Sequence, residues 1–288
     1  MKAPLAIVTM VYNEPEFLPV WCRHYARQAG PANCYVVDHG SSDGSVDRIG
    51  EVNRIRLPRS PQDDERRAQA ISSICTGLLS YYDAVIYVDV DEILVADPAL
   101  YPSLRDFAAQ TQGDAVVATG LDVIHAIETE APIDWSRPVS TQRRWLRFSS
   151  AMCKPALIRR PVAWAPGFHS VNIPSVFGSP LFLFHLRYAD LDSGLVRLGR
   201  TRRQAWSSEY LGQHQRMGDQ NWASMLSGMA HLPQINDTSL AESDPQLADW
   251  RDRVRASMVG REHERYTLDL HVSGDALWRL PDRFVNTF

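Results

Sequence analysis

The sequence predicts an α/β protein built around a parallel sheet, and three observations carry that expectation. Short apolar runs alternate with segments of helical periodicity through residues 1–88. The runs are apolar at consecutive positions, as strands buried on both faces are. Polar turns rich in Gly, Asn, Asp and Ser separate them, so strand and helix succeed one another as in a sheet wrapped by helices.

Residues 5–11 read as the first strand, after which Asn13 offers an N-cap with Pro15 and Glu16 in the first helical turn. Phe17, Leu18, Trp21, Cys22, Tyr25 and Ala26 recur at helical spacing, and Gly30 supplies the stop. A second unit follows, with a strand at 34–38, a tight polar turn at 39–45 and a short helix ending at Gly50. Residues 54–57 make a brief third strand, 63–82 a long amphipathic helix, and 84–88 a fourth strand. From about Asp114 the rhythm changes: strand-like runs at 115–119, 156–159 and 181–186 are spaced by long loops rich in Trp, Arg and Pro, which predicts a mixed sheet with functional loops. Beyond Asp190 the chain reads as mainly helical, with Arg197, Arg200 and Arg203 on one helix face. That face is expected to be solvated, contact with an anionic acceptor or a lipid phosphate being the alternative.

With 44% hydrophobic and 22% charged residues, the 288-residue chain is long enough to bury an enzyme core. A net charge of −4 gives no general reason to bind nucleic acid or an anionic membrane. The four cysteines show no CxxC pair and read as reduced packing residues. The first apolar run is too short and too soon interrupted for a signal peptide, and no apolar stretch approaches the roughly 20 residues that span a bilayer. The expectation is a cytoplasmic protein, with peripheral membrane contact left open.

The most informative segment is Asp89, Asp91 and Glu92 at the end of the fourth strand. In extended chain, residues i and i+2 point to one side, so both aspartates should share a pocket beyond the carboxyl end of a parallel strand, where open α/β sheets bind ligands. Two neighbouring carboxylates repel unless something neutralises them, and a hard divalent cation such as Mg²⁺ or Mn²⁺ does so while recruiting phosphate oxygens. His185, closing the apolar run at 181–186, could reach that metal as a third ligand or be a hydrogen-bonded core residue. His169, in a Pro-Gly turn, could contact acceptor or phosphate, or simply stabilise the turn.

Thr9, Asn13 and Glu14 after the first strand, Asp38 to Ser45 after the second, Arg67 at the head of a helix, and Asp89-x-Asp91-Glu92 together resemble the family 2 glycosyltransferases. More narrowly, with His185-x-Arg187-Tyr188, the chain resembles a family 2-like branch, over residues 3–188. The resemblance implies a GT-A type Rossmann-like mixed sheet flanked by helices, with residues 1–190 as the catalytic domain. Residues 1–113 would be its nucleotide-sugar half, 114–190 its acceptor half, and 191–288 a helical extension packed on it. It implies that Thr9 and Asp38 hold nucleobase and ribose, that Arg67 contacts base or diphosphate, and that Asn13 and Glu14 belong to the nucleotide site. Asp89 would hold ribose and metal, and Asp91 the metal. The pattern departs from the family at His39 and at Ala68-Gln69-Ala70-Ile71 after Arg67, both of which bear on the base.

The expected activity is therefore metal-assisted transfer of a sugar from a nucleotide diphosphate donor, a UDP-sugar first, to a saccharide or lipid-linked acceptor. A catalytic base is sought among Asp122, His169, Asp134 and Asp190, with Asp122 placed first because it follows the strand after the metal pair. Arg143, Arg144 and Arg147 with Trp135, Trp145 and Trp164 could meet a carbohydrate or phosphate-bearing acceptor, or be half-buried rim residues. Three rivals stay open. A phosphatase of the haloacid dehalogenase kind would use Asp89 as nucleophile and Asp91 as acid, although its motif ends a first strand. A catalytically silent carbohydrate-binding protein would keep the fold alone. A nucleotidyltransferase should carry a Gly-rich phosphate loop, which residues 10–15 lack.

Overall fold

The structure, a computed structural model, describes residues 1–210, 212–258 and 267–288. It is an α/β protein with a mixed sheet flanked by helices. The first half contains β1 (Ala3–Val11), α1 (Phe17–Ala29), β2 (Cys34–Asp38), β3 (Asn53–Arg56), α2 (Asp64–Leu78), β4 (Tyr82–Tyr87), β5 (Glu92–Ala96) and α3 (Leu104–Gln110). Then come β6 (Ala115–Ile124), β7 (Trp145–Phe148), β8 (Pro155–Ile158) and β9 (Val176–His185). Last are α4 (Leu191–Arg203), α5 (Asp219–Ala230), β10 (Gln234–Ile235), α6 (Pro245–Ser257) and β11 (Leu277–Arg279).

The sheet runs β10-β11-β7-β6-β8-β4-β1-β2-β3, while β9 pairs with both β5 and β6. β3, β2, β1 and β4 are parallel, and β8 is antiparallel to β4 and to β6. Strand pleat sorts β1 between two cores. Leu5, Ile7 and Val11 enter the cluster that holds Phe17, Trp21 and Phe107, whereas Ala6, Val8 and Met10 meet Ala68, Ile71 and Cys75 of α2. β4 obeys the same alternation, with Ile86 on the first side and Val85 and Tyr87 on the second.

Two helix starts matter for the site. Asp63 caps α2 by accepting from the amides of Glu65 and Arg66, which fixes the turn that carries Arg67. Asp190 caps α4 through the amide of Ser193. Asn13 caps nothing helical, contrary to expectation: α1 begins at Phe17, and Asn13 takes φ 55° so that its side chain accepts from the Ser42 amide at 2.9 Å. Residues 191–288 hold three α-helices among those described, and also β10 and β11, which extend the main sheet. Among the described residues no helix is long and apolar enough to cross a membrane.

Candidate functional site

The carboxyl ends of β1, β2 and β4 open on one cavity, as the strand-end rule leads one to expect. Tyr12 and Glu14 follow β1 into it, His39 follows β2, and Asp89, Asp91 and Glu92 follow β4. Arg67 comes from α2 and Lys154 from the approach to β8, and His169, His185 and Arg187 also line it. Arg197 and Trp206, from α4 and the segment after it, complete the lining. The segment after α4 is tied to the loop before α2 through Gln62, whose amide donates to the Ala205 carbonyl at 2.7 Å and whose carbonyl accepts from the Ser207 amide at 2.9 Å.

The two aspartates do not lie in extended chain. β4 stops at Tyr87, and the Glu92 amide closes a turn on the Asp89 carbonyl at 3.0 Å. Both side chains reach the cavity but address different cations. Asp89 accepts from Arg67 at 2.5 Å and from the Tyr87 hydroxyl at 2.9 Å on Oδ1, and from Lys154 at 3.1 Å on Oδ2. Lys154 also donates to Glu92 at 2.5 Å, and the second Glu92 oxygen accepts from the Asp89 amide at 2.9 Å. Burial opposes ionisation of Asp89, yet Arg67 and Lys154 outweigh it and hold the carboxyl well below the usual range. Burial, against the pull of Lys154, raises Glu92.

Asp91 presents Oδ2 to Arg197 and, at 3.4 Å, to His185 Nε2. The other His185 nitrogen meets Asp122 at 2.7 Å. Burial alone would depress this imidazole, but the flanking Asp122 and Asp91 carboxylates prevail and raise its pKa to about 9. Arg197 in turn places Nε and Nη2 on one oxygen of Glu14, at 3.0 and 2.8 Å.

These donors fit a divalent ion in part. Asp91 and His185 face one another across 3.4 Å, and the carboxylate on the far nitrogen is the outer contact that orients metal-ligating imidazoles. One carboxylate with substrate phosphates and water is an ordinary shell for Mg²⁺. Asp89, expected as a second ligand, does not fit, because both of its oxygens serve internal donors. Among the described residues no three His, Cys, Asp or Glu side chains converge as a ready metal site.

Several expected contacts lie elsewhere. Thr9 has the parity of Ile7, is 0% exposed and does not line the cavity. Asp38 is equally buried, with its carboxylate taken by Arg54 at 2.7 Å and the Ser41 amide at 2.7 Å, whereas Tyr12 and His39 line the cavity. Arg59 stacks on the Tyr12 ring at 3.6 Å and steadies it. Asp122 is 5% exposed, is not among the residues lining the cavity, and meets the His185 nitrogen that does not face Asp91. Asp190 is consumed by its cap and by Arg143 at 3.2 Å, and Asp134 by Ser136 at 2.6 Å. Arg197 and Arg200, expected on a solvated face, turn inward instead and pair with Glu14 and Glu16, because α4 lies across the loop that follows β1.

Arg143 is buried and donates to the carbonyls of Ala189, Ala131 and Gln142, Arg147 holds Gly274 at 2.8 Å, and Trp164 bonds the Pro155 carbonyl at 3.1 Å. Neither the three arginines at 143, 144 and 147 nor the tryptophans at 135, 145 and 164 line the cavity. His169 does line it, and its Nδ1 pairs with the Ala151 carbonyl at 2.8 Å. That carbonyl can only accept, so Nδ1 is the donor in this contact. Lys154, Tyr12 and Trp206 escaped sequence reasoning, and only a lysine abutting the apolar run at 155–158 offered a signal.

No protein-family model matches the chain. No curated protein matches it. Among solved structures it is similar to a mannosyltransferase from Pyrobaculum calidifontis in complex with GDP-Man and Mn²⁺, at 17% identity and a TM-score of 0.28, over 49% of this chain and 41% of that one. It thus spans about two-fifths of that relative's length. It is similar to a mannose-1-phosphate geranyltransferase from Thermus thermophilus, at 11% identity and TM-score 0.30, over 79% and 68% of the two chains. A CMP:2-keto-3-deoxy-manno-octonic acid synthetase complexed with CTP gives 11% identity and TM-score 0.30, over 78% and 86%. Likenesses this distant identify no substrate for this chain.

Proposed function

We propose that the chain is a glycosyltransferase that moves a sugar from a nucleotide diphosphate donor, UDP-sugar first, to a saccharide or lipid-linked acceptor. One observation carries this reading: at the carboxyl edge of a parallel sheet, the Asp89–Glu92 turn, three cations and His185 share one cavity. A pyrophosphate needs such a mixture of positive charge and ligands for a cation. Mn²⁺ or Mg²⁺, held by Asp91 and His185, would supply Lewis-acid stabilisation of the departing diphosphate.

The chain's own residues do the rest. Asp89 serves as the anchor that aims Arg67 and Lys154 at the phosphates, and Arg67 is steadied over the Phe168 ring at 5.1 Å. Fixed cations of this kind act without reorganising as charge develops. Tyr12 and His39 would bound the nucleoside, with Glu14 beside them. Trp206 and His169 would face the acceptor, with His169 taking the place of Asp122 as first candidate for the proton acceptor because it lines the cavity.

A thermal-shift screen of nucleotide sugars with and without Mn²⁺ tests the reading. A donor at a hundredfold excess over its Kd should stabilise the protein by about 2.7 kcal/mol. Asp91→Asn should abolish the metal-dependent part of that shift and of sugar transfer. Stabilisation by no nucleotide sugar, together with hydrolysis of an aryl phosphate, would overturn it in favour of a phosphatase.

A further inference from the structure

We propose that the segment after α4 builds a subsite for an uncharged saccharide, with the Trp206 ring as its platform, so that the acceptor is a neutral sugar rather than a lipid phosphate. The inference rests on the glycosyltransferase reading above and narrows its acceptor. Three observations lead to it.

First, the ring is held in place without being buried. Trp206 is half-buried and lines the cavity. Its Nε1 donates to the Thr201 carbonyl at 3.3 Å, and the Arg216 guanidinium lies over it, 5.0 Å from the centroid. A Cβ on Gly212 would stand 2.2 Å from its six-membered ring, and Gln62 pairs with Trp206 in a parallel bridge. A ring so fixed has little freedom left to lose when a ligand settles on it. Its electron-rich face attracts the weakly positive C–H edges of a sugar.

Second, the ring's neighbours are neutral and able to hydrogen-bond. Gln204, the C-cap of α4, and Gln215, whose amide donates to the Gly212 carbonyl at 2.8 Å, both line the cavity. Neither glutamine side chain hydrogen-bonds another described residue. A primary amide both donates and accepts, as a hydroxyl does, so the pair matches a polyol. Asp64, the nearby acid in the lining, already accepts from Gln62 at 3.0 Å. Among the described residues of 201–217 no Lys or Arg lines the cavity, although an anionic acceptor would need one there.

Third, this cluster adjoins the proposed reacting centre. Thr201, also in the lining, stands one helical turn beyond Arg197 and donates to its carbonyl at 3.1 Å, and Arg197 meets Asp91. A sugar on Trp206 is thus next to the cations proposed for the diphosphate, while the nucleoside is assigned to Tyr12 and His39, which follow other elements.

The test is saturation-transfer difference NMR on the full chain. The probes are the methyl glycosides of glucose, galactose, mannose and N-acetylglucosamine, and the 6-phosphates of the same sugars. At least one methyl glycoside should receive saturation, most strongly at its ring C–H protons, and Trp206→Ala should abolish it. Gln204→Ala and Gln215→Ala should each raise its Kd roughly fivefold, the worth of one neutral hydrogen bond. Saturation of the phosphates alone, or of no probe, overturns the inference, as does a Kd unchanged in Trp206→Ala. Should Trp206→Ala fail to fold by circular dichroism, the two glutamine variants decide: weaker glycoside binding supports the subsite, and unchanged binding in both sinks it. Thermal shifts with nucleotide sugars keep the two readings apart. If Trp206→Ala loses nucleotide-sugar binding and keeps the glycoside, the ring carries a base and the inference falls. If no nucleotide sugar stabilises the wild type while glycoside binding depends on Trp206, the saccharide subsite stands and the transferase reading falls.

Discussion

Replacing Lys154 by Met would leave Asp89 and Glu92 facing each other in a buried turn with one cation, Arg67, on Asp89 alone. Loss of one member of a buried charge cluster costs about 3–5 kcal/mol, to be read from urea denaturation. Lys154→Met combined with Glu92→Gln should recover part of it, since one of the stranded charges goes too. His24 makes a different residue-scale case. It is buried beneath β5, its Nε2 pairing with the Leu94 carbonyl at 2.9 Å, and burial drags its pKa down to about 4. The unfolded chain titrates near 6.5 and therefore binds the extra proton between these values. Stability should fall as pH falls from about 6.5 to about 4, by up to about 3 kcal/mol in total, and then level off. Denaturation midpoints across that range should show this slope in the wild type and a flatter one in His24→Gln. The residues of the acidic turn were visible in the sequence because strand end and Asp-x-Asp-Glu are adjacent. Their counter-ions were not, because Lys154 and Arg197 arrive from remote segments and a lone cation in sequence carries no sign of the carboxylate it will meet.

At the scale of elements, α4 matters because its inner face approaches α5 with no room to spare. A Cβ on Gly194 would stand 2.2 Å from the Trp222 ring, which is itself stacked on Tyr188. Gly194→Ala should therefore destabilise by about 1–3 kcal/mol despite the better helix propensity of alanine, and calorimetry would measure it. A neutral or stabilising result would mean that the two helices separate easily. Strands buried on both faces, such as β1, β2 and β4, were readable because so short an unbroken apolar run, closed by a polar turn, suits a covered strand better than a helix. β5 was hidden because Glu92, its first residue, completes the acidic motif and masks the join. β7 is only four residues long, with half-buried Trp145 and Arg147 alternating with buried Leu146 and Phe148, too brief to distinguish from a loop. The helix expected over 63–82 ends at Leu78, because chain reversal before β4 consumes the residues between. The start expected at Asn13 moved to Phe17 because Asn13 ties the loop after β1 to the one after β2.

Over the whole molecule, the C-terminal residues close the core rather than decorate it. Phe284 is 0% exposed and makes edge contacts with Phe182 and Phe184, while Phe288 stacks on Phe184 at 4.6 Å. Phe284→Ala should cost about 3–5 kcal/mol, and a chemical denaturation midpoint unchanged from wild type would show that this corner is not part of the cooperative unit. The region after Asp190 reads as mainly helical in sequence because β10 and β11 are two and three residues long. What joins them to the sheet is pairing with distant partners, Trp278 opposite Leu146 and Arg279 opposite Trp145.

That pairing has a consequence for biosynthesis. A ribosome delivers β7 long before it delivers β11, so the nascent chain must carry an uncovered sheet margin while the whole stretch between them emerges. Completion of this sheet margin thus waits for β11, and the interval before it is when stray strands from neighbouring nascent chains can compete for the vacant margin.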